Sequence, residues 1–321
     1  MRLQEIKAPL IVILGPTAVG KTALSLQLAE RLNGEIISAD SRLFYRGMNI
    51  GTAKPSFEEQ QIVPHHLIDV AEPDETWSLA LFQQTAFEII SQIHRREKIP
   101  FLVGGTGQYI RAVVEGWEVP AQEPDRGLRA ILENWAEEIG PYALHEKLAV
   151  VDPVAAQVID APNLRRTIRA LEVLFLTGQR FSDQRKRNES GYDLLMIGLY
   201  RDRKTLYERV DARIESMLQQ GLLEEVETLL AKGYDPNLPT FSAIGYAEII
   251  QYLQGNLTLE EAVALIKRKT RIFVRRQANW FKPDDPKIHW FDAATVQAGE
   301  IVDFIQSGKG WLLRDGKGIE T

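Results

Sequence analysis

The sequence has no cysteine, which excludes disulfide staples and thiolate metal centres, and five histidines leave little material for a structural zinc site. It has no membrane-length apolar run: the stretch Leu10-Ile11-Val12-Ile13-Leu14 is far shorter than the roughly 20 residues a spanning helix requires, and reads instead as a buried strand. Met1-Arg2-Leu3-Gln4-Glu5 lacks the apolar core of a secretory leader, so the chain is expected in the cytoplasm, with no membrane partner. Nor is there an excess of positive charge. The formal net charge is -6 at pH 7, which excludes a chain that coats nucleic acid over its whole surface and leaves only local basic faces to be sought. No repeat or low-complexity tract is found. What remains is a chain of 321 residues, 45% hydrophobic and 26% charged, large enough for a core domain with an insertion.

From Pro9 the pattern runs strand (residues 10–14), glycine-rich turn, helix (21–32) and a second β-type run (35–40), which is a βαβ opening. A helix is predicted over 78–96, where Phe82, Ala86, Ile89, Ile90 and Ile93 fall near helical spacing. A buried strand follows at 99–103 and stops at Gly104-Gly105. Between residues 115 and 191 helical segments replace strands, including 128–138 and 164–176. Residues 192–199 read as a strand rejoining the sheet, followed by a long helix with Leu206, Val210, Ile214, Met217 and Leu218 on one stripe. Helices at 247–254 and 259–281, a strand at 288–291 and a last helix complete the pattern. The fold predicted is α/β, a phosphate-loop core with a mostly parallel sheet flanked by helices (8–115 and 192–312) plus an inserted all-helical subdomain (116–191).

Gly15-Pro16-Thr17-Ala18-Val19-Gly20-Lys21-Thr22 satisfies G-x-x-x-x-G-K-[ST] between an apolar strand and a helix. Glycines let backbone N–H groups converge on phosphate oxygens, the helix end adds a positive pole, Lys21 adds charge and Thr22 is placed to ligate Mg²⁺. The motif fixes a diphosphate site, not a chemistry; most such loops bind ATP, so a small-molecule kinase is the alternative. Against it, the strand at 99–103 ends in Gly104-Gly105-Thr106 where an NTPase usually places an aspartate. The acid at a strand end near the loop is Asp40, read as one strand over and as a candidate base; a turn cap or an indirect Mg²⁺ contact are its other readings.

These residues, with Ile37-Ser38-Ala39-Asp40-Ser41, Met48-Asn49-Ile50-Gly51-Thr52-Ala53-Lys54-Pro55, Pro64-His65-His66-Leu67-Ile68-Asp69 and Leu102-Val103-Gly104-Gly105-Thr106-Gly107, resemble the tRNA dimethylallyltransferases, also called isopentenyltransferases. Val151-Asp152-Pro153, Arg169-Ala170-Leu171-Glu172-Val173, Met217-Leu218-Gln219-Gln220-Gly221-Leu222, Ile244-Gly245-Tyr246 and Arg275-Arg276-Gln277 extend the likeness to about residue 285. The resemblance implies Mg²⁺-assisted transfer of dimethylallyl from dimethylallyl diphosphate to N6 of the adenosine 3′ of the anticodon. It implies Asp40 as general base, Thr106 contacting the target nucleotide and Arg213 binding diphosphate. By themselves Thr106 reads equally as a turn cap and Arg213 as a solvated arginine. The resemblance also implies tRNA contacts at Asp40, Ser41, Arg42, Leu43, Thr106 and Arg129, along Arg165-Arg166-Thr167-Ile168-Arg169, and at Ile244, Gly245 and Tyr246. Some relatives carry arginines where this chain has Ser242 and Ala247.

Lys267-Arg268-Lys269-Thr270-Arg271-Ile272-Phe273-Val274-Arg275-Arg276-Gln277-Ala278-Asn279-Trp280-Phe281-Lys282 carries seven basic residues and no acid. On a helix Arg268, Arg271 and Arg275 share one face for phosphate contacts, with Ile266, Phe273 and Trp280 on another, packed inward; a merely solvated basic helix is the other reading. Two separated basic patches suit the two sides of an anticodon stem-loop. His65-His66 is read as loop packing in preference to a metal pair. The functions held open are a prenyltransferase acting as a monomer, an ATP-using kinase and a non-catalytic RNA-binding protein.

Overall fold

A computed structural model describes residues 7–119, 125–183 and 190–308. Strands β1 (Pro9–Leu14), β2 (Gly34–Ser38), β3 (His65–His66), β4 (Ile99–Gly104), β5 (Asp193–Tyr200) and β6 (Ile288–Asp292) form one sheet in the order β3-β2-β4-β1-β5-β6. Every strand pairing in it is parallel. The helices are α1 (Lys21–Arg31), α2 (Phe57–Ile62), α3 (Leu79–Arg95), α4 (Gly107–Val114), α5 (Arg126–Ile139), α6 (Pro141–Val151), α7 (Pro153–Val158), α8 (Leu164–Thr177), α9 (Arg203–Gln219), α10 (Leu222–Ala231), α11 (Tyr246–Leu253), α12 (Leu259–Gln277) and α13 (Ala298–Gln306). β1, β4 and β5 are buried along nearly their whole lengths, so they read as continuous apolar runs instead of alternating ones.

The strand order corrects one expectation. Asp40 does not follow the strand beside the phosphate loop; β4 lies between β1 and β2, and Ile11 and Ile36 both pair with Phe101. The crossover through α1 skips one place in the sheet, and the return through α3 fills it. Gly104 makes the tight fit possible at the site end: a Cβ there would collide with the Ala39 carbonyl, two strands' ends being pressed together beside Asp40. Helix α12 also stops short of the predicted end at 281. Pro283 disfavours helix at the residue before it, and the chain turns after Gln277.

The chain divides into two compact units. The first contains the sheet, with described residues in 7–77, 84–114 and 190–308; the second takes in 78–83, 115–119 and 125–183. In the first, Glu35 on β2 is almost fully buried and meets Arg96, Lys98 and His66. Burial raises its carboxyl pKa, but hydrogen bonds from Arg96, His66 and Lys98 outweigh burial and hold it down at about 2. The second unit packs Leu132, Leu144, Leu148, Ile159, Ile168 and Leu171 into its own core. Among the described residues no helix is long and apolar enough to cross a membrane.

Candidate active site

The phosphate loop joins β1 to α1. Gly20, at the N-cap, sits at φ 119, a left-handed conformation that side chains other than glycine rarely adopt, and no side chain caps the helix. The first-turn N–H groups of α1 are therefore offered to a ligand. The loop's carbonyls are occupied from outside it and from within. Arg201 Nε donates to Val19 O at 3.1 Å, Arg209 Nε to Ala18 O at 2.8 Å, and Lys21 Nζ to Gly15 O and Pro16 O at 3.0 and 2.9 Å. Turning these carbonyl dipoles toward cations keeps them away from a bound anion, which is left the amides at the start of α1; within the loop, Thr17 N donates to Gln277 Oε1 at 2.8 Å and Val19 N to Pro16 O at 3.4 Å. Burial pulls the Lys21 ammonium down from its ordinary 10.5 to about 8, against the pull of the Asp40 charge upward, with Arg213 adding to the fall.

One cavity beside the loop is lined by polar groups that include Thr17, Lys21, Thr22, Ser38, Asp40 and Arg213 and by the apolar Ile36, Leu43, Pro55, Ile68 and Val103. Asp40 stands just beyond β2, where its Oδ1 accepts from Arg42 N at 3.0 Å; its other oxygen has no partner among the described residues. Arg213 projects from α9 and donates to Thr52 O at 3.2 Å. Burial lowers the pKa of its guanidinium and the Asp40 charge opposes this. The segment bearing Thr52 is held by a residue that stands in none of the motifs named above. Glu225 on α10 accepts from the amides of Asn49, Ile50 and Gly51 at 2.8, 2.8 and 3.2 Å, and from Tyr246 Oη at 2.6 Å. His65 also lines the cavity, with Nδ1 2.7 Å from Val63 O; its signal in sequence is the His65-His66 pair, whereas Glu225 lies outside the matched segments and has none. Thr106 is not part of the cavity lining. Its carbonyl accepts from Tyr109 and Ile110 at the start of α4, and its hydroxyl makes no hydrogen bond among the described residues.

Comparison with known proteins settles the kinship. The family described as IPP transferase matches residues 43–284. A tRNA dimethylallyltransferase of Roseiflexus sp. (strain RS-1) is 52% identical over 274 residues, 85% of this chain and 90% of that one. The chain belongs to the IPP transferase family. The crystal structure of a tRNA isopentenylpyrophosphate transferase from Bacillus halodurans matches with a TM-score of 0.70 and 44% identity, over 95% of this chain and 97% of that one. A eukaryotic dimethylallyltransferase acting on tRNA matches with a TM-score of 0.79 and 29% identity, over 94% of this chain and 79% of that one. The α/β fold with a parallel six-stranded sheet is thus shared with solved IPP transferases, and the chain is a transferase of that family.

In this IPP transferase the basic segments are less uniform than their sequences. On α12, Lys267 pairs with Glu215 at 2.8 Å, Lys269 with the buried Glu248 at 2.6 Å, and Arg271 with Asp211 while lying over the Tyr207 ring. Arg268 and Arg275 are exposed and have no ion pair among the described residues. Phe273 and Trp280, expected to pack inward, are 39% and 36% exposed; the buried stripe is Ala262, Ile266, Val274 and Gln277. In the helical unit, Glu172 is fully buried and takes Arg129 at 2.8 Å and Arg169 at 2.6 Å. Thr167 and Ile168 are also buried, which leaves Arg165 and Arg166 as the members of that run facing solvent with no ion pair. Tyr246 is buried and bound to Glu225, so its side chain is structural, and Gly245 is buried as well. Arg42 turns to Thr240 O and Ser242 Oγ, at 3.0 and 3.3 Å. Ser41, Leu43 and Ile244 are half-buried.

Proposed function

We propose that this chain transfers dimethylallyl from dimethylallyl diphosphate to N6 of the adenosine 3′ to the anticodon (adenosine-37) in tRNAs that read U-initial codons. The observation that carries the reading is the cavity itself. Beside its phosphate-facing groups the cavity is also lined by Leu43, Pro55, Ile68 and Val103, apolar contacts of the kind a five-carbon prenyl tail needs. In this reading the N6 nitrogen attacks the first prenyl carbon. The bond from that carbon to the diphosphate oxygen breaks, and the diphosphate leaves with the electron pair. Asp40 takes the N6 proton as the new C–N bond forms, which removes the positive charge that would otherwise build on nitrogen. Lys21, Arg213 and the amides of α1 face the charge that develops on the leaving oxygen. The free Thr106 hydroxyl is assigned to orient the target nucleotide.

Mg²⁺ fits the residues present. Thr22 offers a hard hydroxyl oxygen at the first turn of α1, and Mg²⁺ commonly takes one or two protein oxygens with the rest from phosphate and water. Bound there it supplies charge to the leaving diphosphate. The adenine must leave its stack to reach Asp40, and the exposed Arg165, Arg268 and Arg275, with the half-buried Arg166, are the cations assigned to the anticodon stem-loop backbone. The chain acts as a monomer in this reading. The test is to incubate the protein with Mg²⁺, dimethylallyl diphosphate and unmodified tRNA, and to analyse the digested nucleosides by mass spectrometry. Prenylated adenosine at the position after the anticodon is the expected product. Its absence from every tRNA that reads U-initial codons would refute the proposal.

A further inference from the structure

The reaction proposed above needs two separately built parts in register: the phosphate loop, which holds the leaving group, and the turn after β4, which carries Thr106 and faces the adenosine. They leave the neighbouring strands β1 and β4, paired up to Leu14 and Gly104, but past those residues no main-chain hydrogen bond among the described residues joins loop to turn. One side chain does. Gln277, the last residue of α12 and nearly fully buried, accepts from Thr17 N in the phosphate loop at 2.8 Å through Oε1. Through Nε2 it donates to Gly105 O in the turn at 3.1 Å. The fit is tight on the turn side, because a Cβ at Gly105 would collide with Gln277 Nε2.

A second contact fixes the end of α12 against the same turn. A Cβ at Gly107 would overlap Trp280, and Arg111 on α4 donates to Trp280 O at 2.6 Å. So both glycines of the Gly105-Thr106-Gly107 run are required by the approach of residues just at or past the end of α12, and Thr106 stands between them. A primary amide can accept from a main-chain N–H through its oxygen and donate to a main-chain carbonyl through its nitrogen at once while carrying no charge, and its two atoms are far enough apart to reach both partners. A carboxylate there would repel both Gly105 O and the diphosphate. An apolar side chain of the same size would leave a loop amide and a carbonyl without partners.

We infer that Gln277 is a positioning residue for the transfer: its amide sets the spacing between the phosphate loop and the Thr106 turn, and with it the distance from the prenyl carbon to the attacking nitrogen. This rests on the function proposed above. A displacement reaction is steeply sensitive to that distance, since a misplacement of about 1 Å costs on the order of 100-fold in rate. Gln277 touches neither substrate in this account, so binding of each should be nearly intact when it is changed to another uncharged side chain.

The test compares the wild-type chain with Gln277→Met, which keeps length and loses both hydrogen bonds, and Gln277→Glu, which keeps the acceptor for Thr17 N and loses the donor to Gly105 O. Single-turnover prenylation, equilibrium binding of an unmodified anticodon stem-loop, KM for dimethylallyl diphosphate and the thermal unfolding midpoint are measured for each. For Gln277→Met we expect the chemical step to slow by about 30- to 100-fold. RNA affinity and donor KM should stay within about threefold of wild type, below the tenfold that 1.4 kcal/mol represents. If Gln277→Met fails to fold, Gln277→Glu decides on the rate of its own chemical step, which should also fall. Gly105→Ala, which pushes the amide aside, should copy Gln277→Met, and the double variant should be no slower than either single one. A normal rate per folded molecule in these variants overturns the inference while leaving the prenyl transfer reading intact. An inactive wild-type chain overturns both.

Discussion

Around the phosphate loop, Lys21, Arg201 and Arg209 direct their hydrogen bonds to backbone carbonyls; on α12 and α8, Lys267, Lys269, Arg271 and Arg169 face carboxylates. Carbonyls hold a cation in place without neutralising it, so the loop keeps a net positive field where a diphosphate would sit. Carboxylates cancel the charge they bind. On these two helices the basic surface available to an RNA backbone is therefore smaller than a count of lysines and arginines implies: Arg268, Arg275 and Arg276 on α12, and Arg165 with the half-buried Arg166 on α8. Burial sets Lys21 apart in the cavity, while Arg209 beside the loop and Lys269 on α12 are exposed, where screening weakens each contact.

The comparison breaks first at Asp40. Asp40→Asn should lower single-turnover prenylation by roughly 10²- to 10⁴-fold, the usual range for loss of a general base. RNA affinity, measured by filter binding, should be unchanged, because charge at the helices is untouched. Equal losses in rate and affinity would mean that catalytic and RNA-facing groups are not separate. Next in size is the buried acid of the helical unit. Glu172→Ala leaves Arg129, Arg169 and the Asp125 amide without their acceptor and should cost about 3 kcal/mol in urea unfolding, toward the lower end for a broken buried pair because both arginines are partly exposed. An undiminished unfolding free energy would place Arg129 and Arg169 among the surface cations after all.

The phosphate loop is sharpened by pH. With Lys21 at about 8, the charged form is lost as pH rises through that value, so donor affinity should be full below pH 8 and then weaken. The decline should approach tenfold per pH unit. Stability should move the other way. Between about 8 and the ordinary 10.5 the folded chain binds fewer protons at this lysine than the unfolded one, so its contribution to stability improves as pH rises. Donor binding titrated by calorimetry from pH 7 to 9.5 checks the first, and a flat profile that Lys21→Met leaves unaltered would contradict it. The smallest effect is at the surface. Arg268→Ala with Arg275→Ala should reduce the salt slope of RNA binding by about 2, while Arg271→Ala, whose charge is already met by Asp211, should change it by much less.

Much of this was legible in the sequence because it is local. The phosphate loop is contiguous, the apolar strands at 10–14 and 99–103 are buried on both faces, and the stripe on α9 repeats at helical spacing. What was not legible depends on pairing across the fold. The insertion of β4 between β1 and β2 is set by the crossover path, which local pattern does not encode. β3 is two histidines long and shows no period of its own, and α10, though Leu222, Val226 and Leu229 repeat at helical spacing, follows directly on a glycine after α9 and merges with it. The acids that quench α12 come from α9 and α11, and Glu225 reaches the 49–51 amides from α10; such partners are far away in sequence and unremarkable where they stand. Gln277 was visible as part of a motif, but its double hydrogen bond exists only once α12 meets the loop and the turn together.

The central claim is that the phosphate loop holds a prenyl diphosphate and releases inorganic diphosphate as the prenyl group moves. The most direct measurement is the stoichiometry of diphosphate release against prenylated adenosine formed, with dimethylallyl diphosphate and unmodified tRNA, alongside a parallel reaction in which ATP replaces the prenyl donor. The account predicts one diphosphate released for each prenylated adenosine, none without the tRNA acceptor, and no phosphate transferred from ATP. Transfer of the terminal phosphate of ATP to an acceptor, with dimethylallyl diphosphate left intact, would contradict it.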